Sequence, residues 1–418
     1  MNHSIEILAT ALFALAILHT FLTPRFEHLA HAGGAHAGLW HFMGEIEAVF
    51  GIWATVLIIV MAASIGSTST VEHLEGLNFT EPMFVFAIMV IAASRPVLEI
   101  CGTLVEQLAR VLPLPQPVAR YFVVLCGVPL LGSLVTEPAA MTLAALLLRE
   151  HYYSQNVSHR FKYATLGALF VNISIGGTLT SFAAPPVLMV AGAWGWDSAF
   201  MASSFGWKAA IAVLINTTLL TMLFRSELQG ILPRATAPSD TTIPWPVIAI
   251  HLLCLAGVVL YGHHPVVFLA IFLLFLGFAD AYARYQDRLI LREGLMVALF
   301  LAGLVVLGSF QQWWLQPILS GLHDTVLFFG AMGLTAFTDN AALTYLGSLV
   351  EGSTEGFRYA LVAGAVSGGG LTVIANAPNP AGFAVLRECF EDGAISPLGL
   401  LAAAALPTVV AAGAFLVL

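Results

Sequence analysis

Long runs of apolar residues constrain this chain more than any other feature of its sequence. An α-helix needs about twenty apolar residues to cross a bilayer. Runs close to that length lie at about 5–23, 41–63, 82–100, 206–224, 245–262, 265–283, 293–312 and 396–418. Only 9% of the 418 residues are charged, so little polar sequence remains for a separate soluble domain. The sequence predicts an all-α polytopic protein of the cell (inner) membrane, with the lipid bilayer as its surroundings.

Two further apolar regions, 120–195 and 324–386, are copies of each other. "VTEPAAMTLAALL" at Val135–Leu147 matches "FTDNAALTYLGSL" at Phe337–Leu349, 202 positions later. "GGTLTSFAAPP" at Gly176–Pro186 matches "GGGLTVIANAP" at Gly368–Pro378, 192 positions later. Matches that recur in the same order indicate an internal duplication.

The duplication divides the chain into four parts. We expect N-terminal transmembrane helices that form a scaffold, a first repeat, a cytoplasmic linker with two connecting helices, and a second repeat. These parts span 1–80, 81–224, 225–288 and 289–418. Each repeat is predicted to contain a re-entrant hairpin and then a broken transmembrane helix: 120–150 with 161–195, and 324–350 with 357–386.

The positions of Lys and Arg in the loops predict the orientation of the spans, because basic loops stay on the cytoplasmic side. Loop 64–81 has no basic residue and carries three glutamates, so we place it outside. Arg110 and the basic residues between Arg225 and Arg292 then lie inside. On this count the two hairpins enter from opposite faces and the repeats are inverted. Both termini are predicted outside.

The tips of the predicted hairpins carry acidic residues. Each arm has about fourteen residues, too few to span, so a tip must stop near the middle of the bilayer against protein or water. The tips read Thr136-Glu137-Pro138 and Thr338-Asp339-Asn340. Helix capping is one explanation, since Thr or Asp caps a helix and Pro suits its first turn. Capping does not require a carboxylate in both tips, and we favour cation or proton binding.

The broken helices supply the second half of each candidate site. Glycine lets the backbone adopt positive φ or approach a ligand closely, and proline prevents a helix from continuing. Freed carbonyls and polar side chains can then coordinate a hard cation such as Na+. The candidate residues of the two breaks are Gly176, Gly177, Thr178, Thr180, Gly368, Gly369, Thr372, Asn376 and Asn379.

These two motifs resemble a known family. "TDNAALT" at Thr338–Thr344 is similar to the Asp-Asn hairpin-tip motif of the arsenite-efflux and Na+/H+-antiporter permeases of the ion transporter superfamily. "GGTLTSFAAPP" is similar to the broken-helix loop of that superfamily. The chain as a whole most resembles the Na+/H+ antiporters of that group, over about 81–224 and 293–418. It departs at the first tip, where Glu137-Pro138 replaces the usual Asp-Asn.

The resemblance implies an elevator-like homodimer with a scaffold domain and a transport domain. It also implies ion binding where tip and loop meet, which here means Na+ half-sites at Glu137 with loop 176–186 and at Asp339-Asn340 with loop 368–380. We expect the cation and the proton to compete for Asp339, with neutral oxygens from Thr338 and Asn340 and with Glu137 as the counterpart. Na+ and H+ are transported ions in this interpretation, and no cofactor is expected.

Three functional hypotheses follow. The acidic tips favour a cation/H+ antiporter. A Na+-coupled organic-anion (carboxylate) transporter on the same fold is the alternative. An intramembrane enzyme using the histidine-rich loop 19–41 with Glu45 and Glu47 would explain neither the duplication nor the breaks. The net charge of −9, without a basic stripe, argues against nucleic acid as a partner.

Overall fold

The structure, a computed structural model, describes residues 3–232, 242–390 and 395–418. Residues 1–2 of the predicted scaffold, residues 233–241 of the predicted linker and residues 391–394 lie outside the described residues. Every regular element of the described chain is helical.

The N-terminal region contains more helices than the apolar runs predicted. They are α1 (His3–Thr20), α2 (Thr23–His31), α3 (Ala37–Gly44), α4 (Ile46–Ile65), α5 (Ser67–Glu75), α6 (Thr80–Ala92) and α7 (Arg95–Val111). The single helix predicted at 82–100 is wrong, because Ser94 is extended and Pro96 opens a new helix in the first turn, where its missing N–H costs nothing. The histidine-rich loop predicted at 19–41 is also wrong, since α2 and α3 occupy most of it.

The predicted first repeat begins within α6 and continues after α7. Its helices after α7 are α8 (Gln116–Val135), α9 (Glu137–Leu148), α10 (His159–Gly176), α11 (Pro185–Trp194), α12 (Ser198–Met201) and α13 (Trp207–Leu223). A π-helical turn at Arg149–Tyr153 extends α9, a 3-10 turn at Gly177–Leu179 follows α10, and a π-helical turn at Ala202–Gly206 joins α12 to α13. With 20 residues, α8 is longer than the arm of about fourteen that we expected.

The rest of the chain contains the linker helices and the predicted second repeat. Its helices are α14 (Arg225–Gln229), α15 (Trp245–Leu260), α16 (Pro265–Ala281), α17 (Leu291–Gly308), α18 (Gln312–Leu319), α19 (Asp324–Thr335), α20 (Asn340–Ser348), α21 (Glu355–Gly368), α22 (Asn379–Leu386) and α23 (Pro397–Val417). Short 3-10 turns lie at Ala283–Tyr285, Val373–Ala375 and Arg387–Cys389.

Within the described residues, six stretches are long and apolar enough to cross a membrane. They are His3–Thr20, Ile46–Ile65, Gln116–Val135, Ser198–Leu223, Leu291–Gly308 and Pro397–Val417. A seventh span results if α5 and α6, which meet at an angle of 62°, form one broken span. The prediction of an all-α multi-pass membrane protein is therefore confirmed.

The second halves of the two broken helices pack against the opposite repeat. Helix α22 lies against α9, and helix α11 lies against α20. Each helix that follows a break therefore contacts the helix that follows the other repeat's tip. This exchange brings residues of the two copies together in the middle of the molecule.

A buried polar network fixes α10 in this arrangement. Pro129 lies inside α8 and has no N–H to offer the carbonyl of Leu125 four residues earlier. Asn172 Nδ2 and Thr217 Oγ1 donate to that oxygen over 2.9 and 3.0 Å. Asn216 Nδ2 donates to Asn172 Oδ1 over 3.0 Å. Since buried polar groups need partners, the network holds α8, α10 and α13 in one register.

Candidate functional site

The first tip has a strained backbone and a buried acid. Thr136 adopts φ 76° and ψ 151°, a conformation found essentially only for glycine, and it is the single non-glycine residue with positive φ in the described chain. Glu137, the first residue of α9, is fully buried. Its backbone N–H donates to the Ala183 carbonyl over 3.3 Å, so the loop after the first break holds the tip.

The carboxylate of Glu137 reaches across to the second repeat. Its Oε2 accepts a hydrogen bond of 2.8 Å from Asn376 Nδ2. Its Oε1 has no hydrogen-bond partner among the described residues. The implied pairing of each tip with the loop of its own repeat is therefore incomplete, because the first acid contacts both loops.

The second tip is built differently. Asp339 is the N-cap of α20, and its Oδ1 accepts from the backbone N–H groups of Ala341 and Ala342 over 2.8 and 3.2 Å. Its side chain is partly exposed to a cavity of about 420 Å³ that is lined mainly by apolar side chains of α1, α4 and α17–α20. Thr338 Oγ1 donates to the Leu334 carbonyl over 3.1 Å. The geometry of helix capping is present at this tip.

Asn340 lies beside Asp339 in sequence but in different surroundings. It is fully buried, and neither its amide nitrogen nor its amide oxygen has a partner among the described residues. A side-chain carbon added to Gly369 would lie 2.8 Å from its Nδ2, which places Asn340 directly against the second break.

The four glycines of the breaks serve close approach, not positive φ. The expectation that they adopt positive φ is wrong, because all five glycines of the described chain that do so lie elsewhere. A Cβ added to Gly177 would lie 2.4 Å from Glu137 Oε1, and one on Gly369 would lie 2.1 Å from Ser174 Oγ. A Cβ on Gly176 or Gly368 would lie 2.6 or 2.3 Å from a carbonyl oxygen of α8 or α19. The backbones touch where side chains would separate them.

The threonines of the breaks tie each break to its own hairpin. Thr180 Oγ1 donates to the Ser133 carbonyl over 2.7 Å, and Thr372 Oγ1 donates to the Ala336 carbonyl over 2.9 Å. Thr178 Oγ1 instead donates to Ile175 within α10 over 2.6 Å. Each of these three hydroxyl groups donates its proton to a backbone carbonyl, so it can offer a ligand only the lone pairs of its oxygen.

The predicted residues carry most of the unpaired buried polar atoms. Among the described residues, eleven buried side-chain N or O atoms have no hydrogen-bond partner, and six of them belong to predicted site residues. Five of these six are oxygens, those of Thr136, Glu137, Asn340, Asn376 and Asn379. Since buried polar groups are normally paired, this concentration of free oxygens fits a site for a hard cation.

Contacts between these residues make one continuous cluster. The Asn379 N–H donates to the Asn376 carbonyl over 3.0 Å, and its Nδ2 donates to the Gly369 and Thr372 carbonyls over 2.7 and 2.9 Å. Gly369 in turn lies against Asn340. The chain of contacts runs from Glu137 through Asn376 and Asn379 to Asn340.

The acids of this cluster form no ion pair with a basic side chain of the described residues. None of the ion pairs found in the described part of the chain includes Glu137 or Asp339. Asp339 interacts electrostatically with Glu137 and with Glu47 of α4. The same described ranges contain no group of three or more His, Cys, Asp or Glu side chains that could hold a metal ion. A ligand here would meet one carboxylate and neutral oxygens.

Two serines that the sequence reasoning missed support the site. Ser133 Oγ donates to the Gly176 carbonyl over 2.7 Å and accepts from the Leu179 N–H over 3.0 Å. Ser174 Oγ donates to the Val366 carbonyl over 2.7 Å and so joins the two broken helices. Both serines stand one turn or less from a tip or a glycine pair, inside otherwise apolar segments. A serine at such a position in an apolar segment was the sequence signal that could have identified them.

A second cavity, of about 580 Å³, adjoins the first break. It is more polar than the first, and Ser181 of the break lines it together with Glu81, Asp197, Ser198 and His263. Ser181 Oγ and Ser198 Oγ are 3.3 Å apart.

In the histidine-rich segment, His19 has a structural role. His19 is buried and contacts Trp53 Nε1 at 3.1 Å and the Met43 carbonyl at 3.0 Å. Glu45 pairs with Arg292, and Arg95 pairs with Glu99 at 3.9 Å, one turn apart in the same helix.

The sequence was also compared with known proteins. A family model described as "Putative Na+/H+ antiporter" matches residues 4–418, almost the entire chain. No match was found among curated protein sequences.

Proposed function

This chain belongs to the Na+/H+ antiporter family of membrane transporters, and we propose that it exchanges Na+ for protons at a site centred on Glu137. Membership of the family points to a transporter and not to an enzyme. The residues of the site, the identity of the cation and the way the protein moves are our proposal.

One observation carries the proposal: the fully buried carboxylate of Glu137 has a free oxygen. Asn376 occupies Oε2, and Oε1 faces Gly177 with no hydrogen-bond donor among the described residues. A buried carboxylate that lacks a cationic partner must bind a cation or carry a proton, because an uncompensated buried charge is very costly. A group that accepts either ion, one at a time, is what exchange requires.

The contacts lead us to assign the exchange to Glu137 in place of Asp339. We expected Asp339 to be the group for which cation and proton compete. Its Oδ1 accepts hydrogen bonds from two backbone N–H groups, which give the acid a structural reason to be there. Asp339 then contributes a nearby negative charge, and Asn340, Asn376 and Thr136 supply neutral oxygens.

The proposed cycle uses the polar cavity. A cation entering the polar cavity beside Ser181 reaches the first break and displaces the proton of Glu137. The two hairpins and the two broken helices then move as a transport domain against the scaffold helices, and the site opens to the other side. This elevator-like movement and the homodimer are parts of the proposal that come from the family resemblance.

The alternative function, Na+-coupled transport of an organic anion, has no observation in its favour. The cluster around Glu137 presents free oxygens and a carboxylate, which repel an anion, and no Lys or Arg ion-pairs with either tip acid in the described part of the chain.

The deciding experiment uses purified protein in proteoliposomes with an imposed pH gradient. Addition of Na+ or Li+, with no organic substrate present, should collapse the gradient, as reported by a pH-sensitive dye. A carboxylate mixture added without a change in Na+ should have no effect. Failure of Na+, Li+ and K+ alike to move protons would overturn the proposal, and proton movement only in the presence of a carboxylate would favour the alternative.

The inverted topology is a separate part of the proposal. It places loop 64–81 and both termini outside and the segment after α13 inside, from the charges of the loops. Single cysteines at Ser69 and at Ser226, in a background without the four native cysteines, should react with a membrane-impermeant reagent from opposite sides. Labelling of both positions from one side would contradict inverted repeats.

A further inference from the structure

We propose that the apolar cavity of about 420 Å³ beside Asp339 binds an organic amine, a molecule with an apolar body and one ammonium group. Such a ligand differs from the inorganic cation of the proposed exchange, and its binding does not depend on that exchange. One consequence, a block of exchange by the bound amine, rests on the proposed function.

The cavity has the size and the surface of a site for a small molecule. Proteins bind small ligands in cavities of about 300–1,000 Å³ that are mainly apolar and contain a few polar groups. The aromatic rings of Phe13, Phe50 and Phe300 line this cavity, together with aliphatic side chains of α18, α19 and α20. These side chains offer close contacts to the apolar body of a ligand.

Asp339 is the only ionisable side chain among the described residues that line the cavity. An ionised carboxylate has about four acceptor positions, and the N–H groups of Ala341 and Ala342 bond only to Oδ1. The carboxylate can therefore accept a further hydrogen bond from a ligand. An ammonium group donates such a bond and also carries the opposite charge, which makes the bond roughly twice as strong as a neutral one.

The other polar side chains of the wall donate their protons within the protein. Thr20 Oγ1 and Thr338 Oγ1 donate to carbonyl oxygens about one turn earlier in the chain, over 2.6 and 3.1 Å. Trp314 Nε1 donates to Gln311 Oε1 over 2.8 Å. An anionic ligand would therefore meet no free donor among these side chains and would be repelled by Asp339. The wall favours an amine over an acid or an alcohol of the same shape.

The cavity lies between two parts of the molecule that move against each other in the proposed cycle. Its walls include α1 and α4, which belong to the predicted scaffold, and α19 and α20, which form the second predicted hairpin. A bound amine would contact both parts and hold the hairpin in place. We therefore expect it to block exchange.

The first test compares three probes with the same apolar body. Phenylbutylamine, phenylbutanol and phenylbutanoate carry an ammonium, a hydroxyl and a carboxylate group at the same position. Calorimetry on the purified protein at neutral pH should show that the amine binds at least about tenfold more tightly than the other two. Absence of amine binding would overturn the proposal. Equal binding of the alcohol or the acid would also overturn it, because the cavity would then accept any apolar molecule, such as a lipid chain.

Two substitutions test the position of the bound amine. Asp339→Asn keeps the size of the side chain and removes its charge, so the amine should bind no more tightly than the alcohol. Gly330→Phe should fill the cavity and abolish amine binding, because a Cβ at this lining position has no atom within 4 Å.

A matched glycine of the same helix provides the control. Gly333 in α19 is equally open but does not line the cavity, so Gly333→Phe should retain amine binding. Unchanged amine binding by folded Gly330→Phe or Asp339→Asn protein would place the amine elsewhere and overturn the proposal. If Gly330→Phe fails to fold, Asp339→Asn and the three probes decide.

The last test asks whether the bound amine blocks transport. The assay is exchange of radioactive for unlabelled Na+ across proteoliposomes at equal pH on both sides, because amines dissipate pH gradients by themselves. Phenylbutylamine should slow this exchange in the wild-type protein and in Gly333→Phe, and phenylbutanol at the same concentration should not. Unchanged exchange with the amine bound would overturn the block. Absence of Na+ exchange without any amine would instead contradict the proposed function, while calorimetry still reports on the amine site.

Discussion

The two hairpin tips start from nearly the same sequence and end in different environments. At the second tip, the N–H groups that open α20 need an acceptor, and Asp339 supplies it. At the first tip, Thr136 is the N-cap of α9 and Glu137 is the first residue of the helix, and the N–H of Glu137 bonds to Ala183. The carboxylate of Glu137 is therefore not a cap, and it accepts a hydrogen bond from Asn376 in the other repeat. In our proposal, the acid of one copy has a structural role and the acid of the other exchanges ions.

The strongest test of this difference between Glu137 and Asp339 is to neutralise each acid separately. Glu137→Gln keeps the size of the side chain and an oxygen for Asn376, but it cannot exchange a proton for a cation. We expect a folded protein with no Na+-dependent proton movement in proteoliposomes. Asp339→Asn still caps a helix and should retain most of the exchange.

The control for this pair is the amount of monodisperse protein in size-exclusion chromatography, which should be similar for both variants. The reverse ranking, with Asp339→Asn inactive and Glu137→Gln active, would return the exchange to the second tip.

The next largest effect is expected at the contact between the repeats. Asn376→Ala removes the donor to Glu137 Oε2 and a free oxygen of the cluster. Leaving a buried partner unsatisfied costs about 1–3 kcal/mol, so Na+ affinity should fall roughly ten- to hundredfold. The measurement is the Na+ concentration for half-maximal proton movement.

A matched amide provides the control for that variant. Asn216 is equally buried but bonds to Asn172 and to the Pro407 carbonyl, away from the cluster. Asn216→Ala should lower thermal stability and leave the Na+ dependence unchanged. Loss of stability without loss of affinity in Asn376→Ala would make Asn376 a packing residue.

Removal of the cap itself should have a moderate effect on stability. Asp339→Ala leaves the N–H groups of Ala341 and Ala342 without their acceptor, which typically costs about 1 kcal/mol. The variant should melt at a lower temperature than Asp339→Asn in a thermal unfolding assay. Equal melting temperatures would show that capping does not explain this aspartate.

The smallest effect concerns the backbone of the first tip. Thr136→Gly relieves a strained conformation that costs of order 1–3 kcal/mol, but it adds flexibility to the unfolded chain. We expect a net gain in stability of about 1 kcal/mol or less. Thr338→Gly, at a tip without positive φ, should lower stability, so a gain in both variants would contradict the strain.

The sequence predicted those features that depend on local patterns. The duplication, the breaks near Gly176 and Gly368 and the membrane-spanning helices follow from residue types and their spacing. The distinction between the two acids does not. It depends on the packing of α22 against α9, which brings together residues far apart in the chain. Ser94 and Pro96 likewise divide a run that hydropathy alone makes continuous.

The hydrogen bond between Glu137 and Asn376 joins two residues that the ribosome makes at different times. Its two residues are 239 positions apart. A ribosome adding about 5–20 residues per second needs roughly 10 to 50 s to make that stretch. During this interval the first repeat is in the membrane with a carboxyl group that has not met its partner, and the neutral protonated form is the cheaper one in hydrocarbon. We therefore expect Glu137 to be protonated while the second repeat is being made.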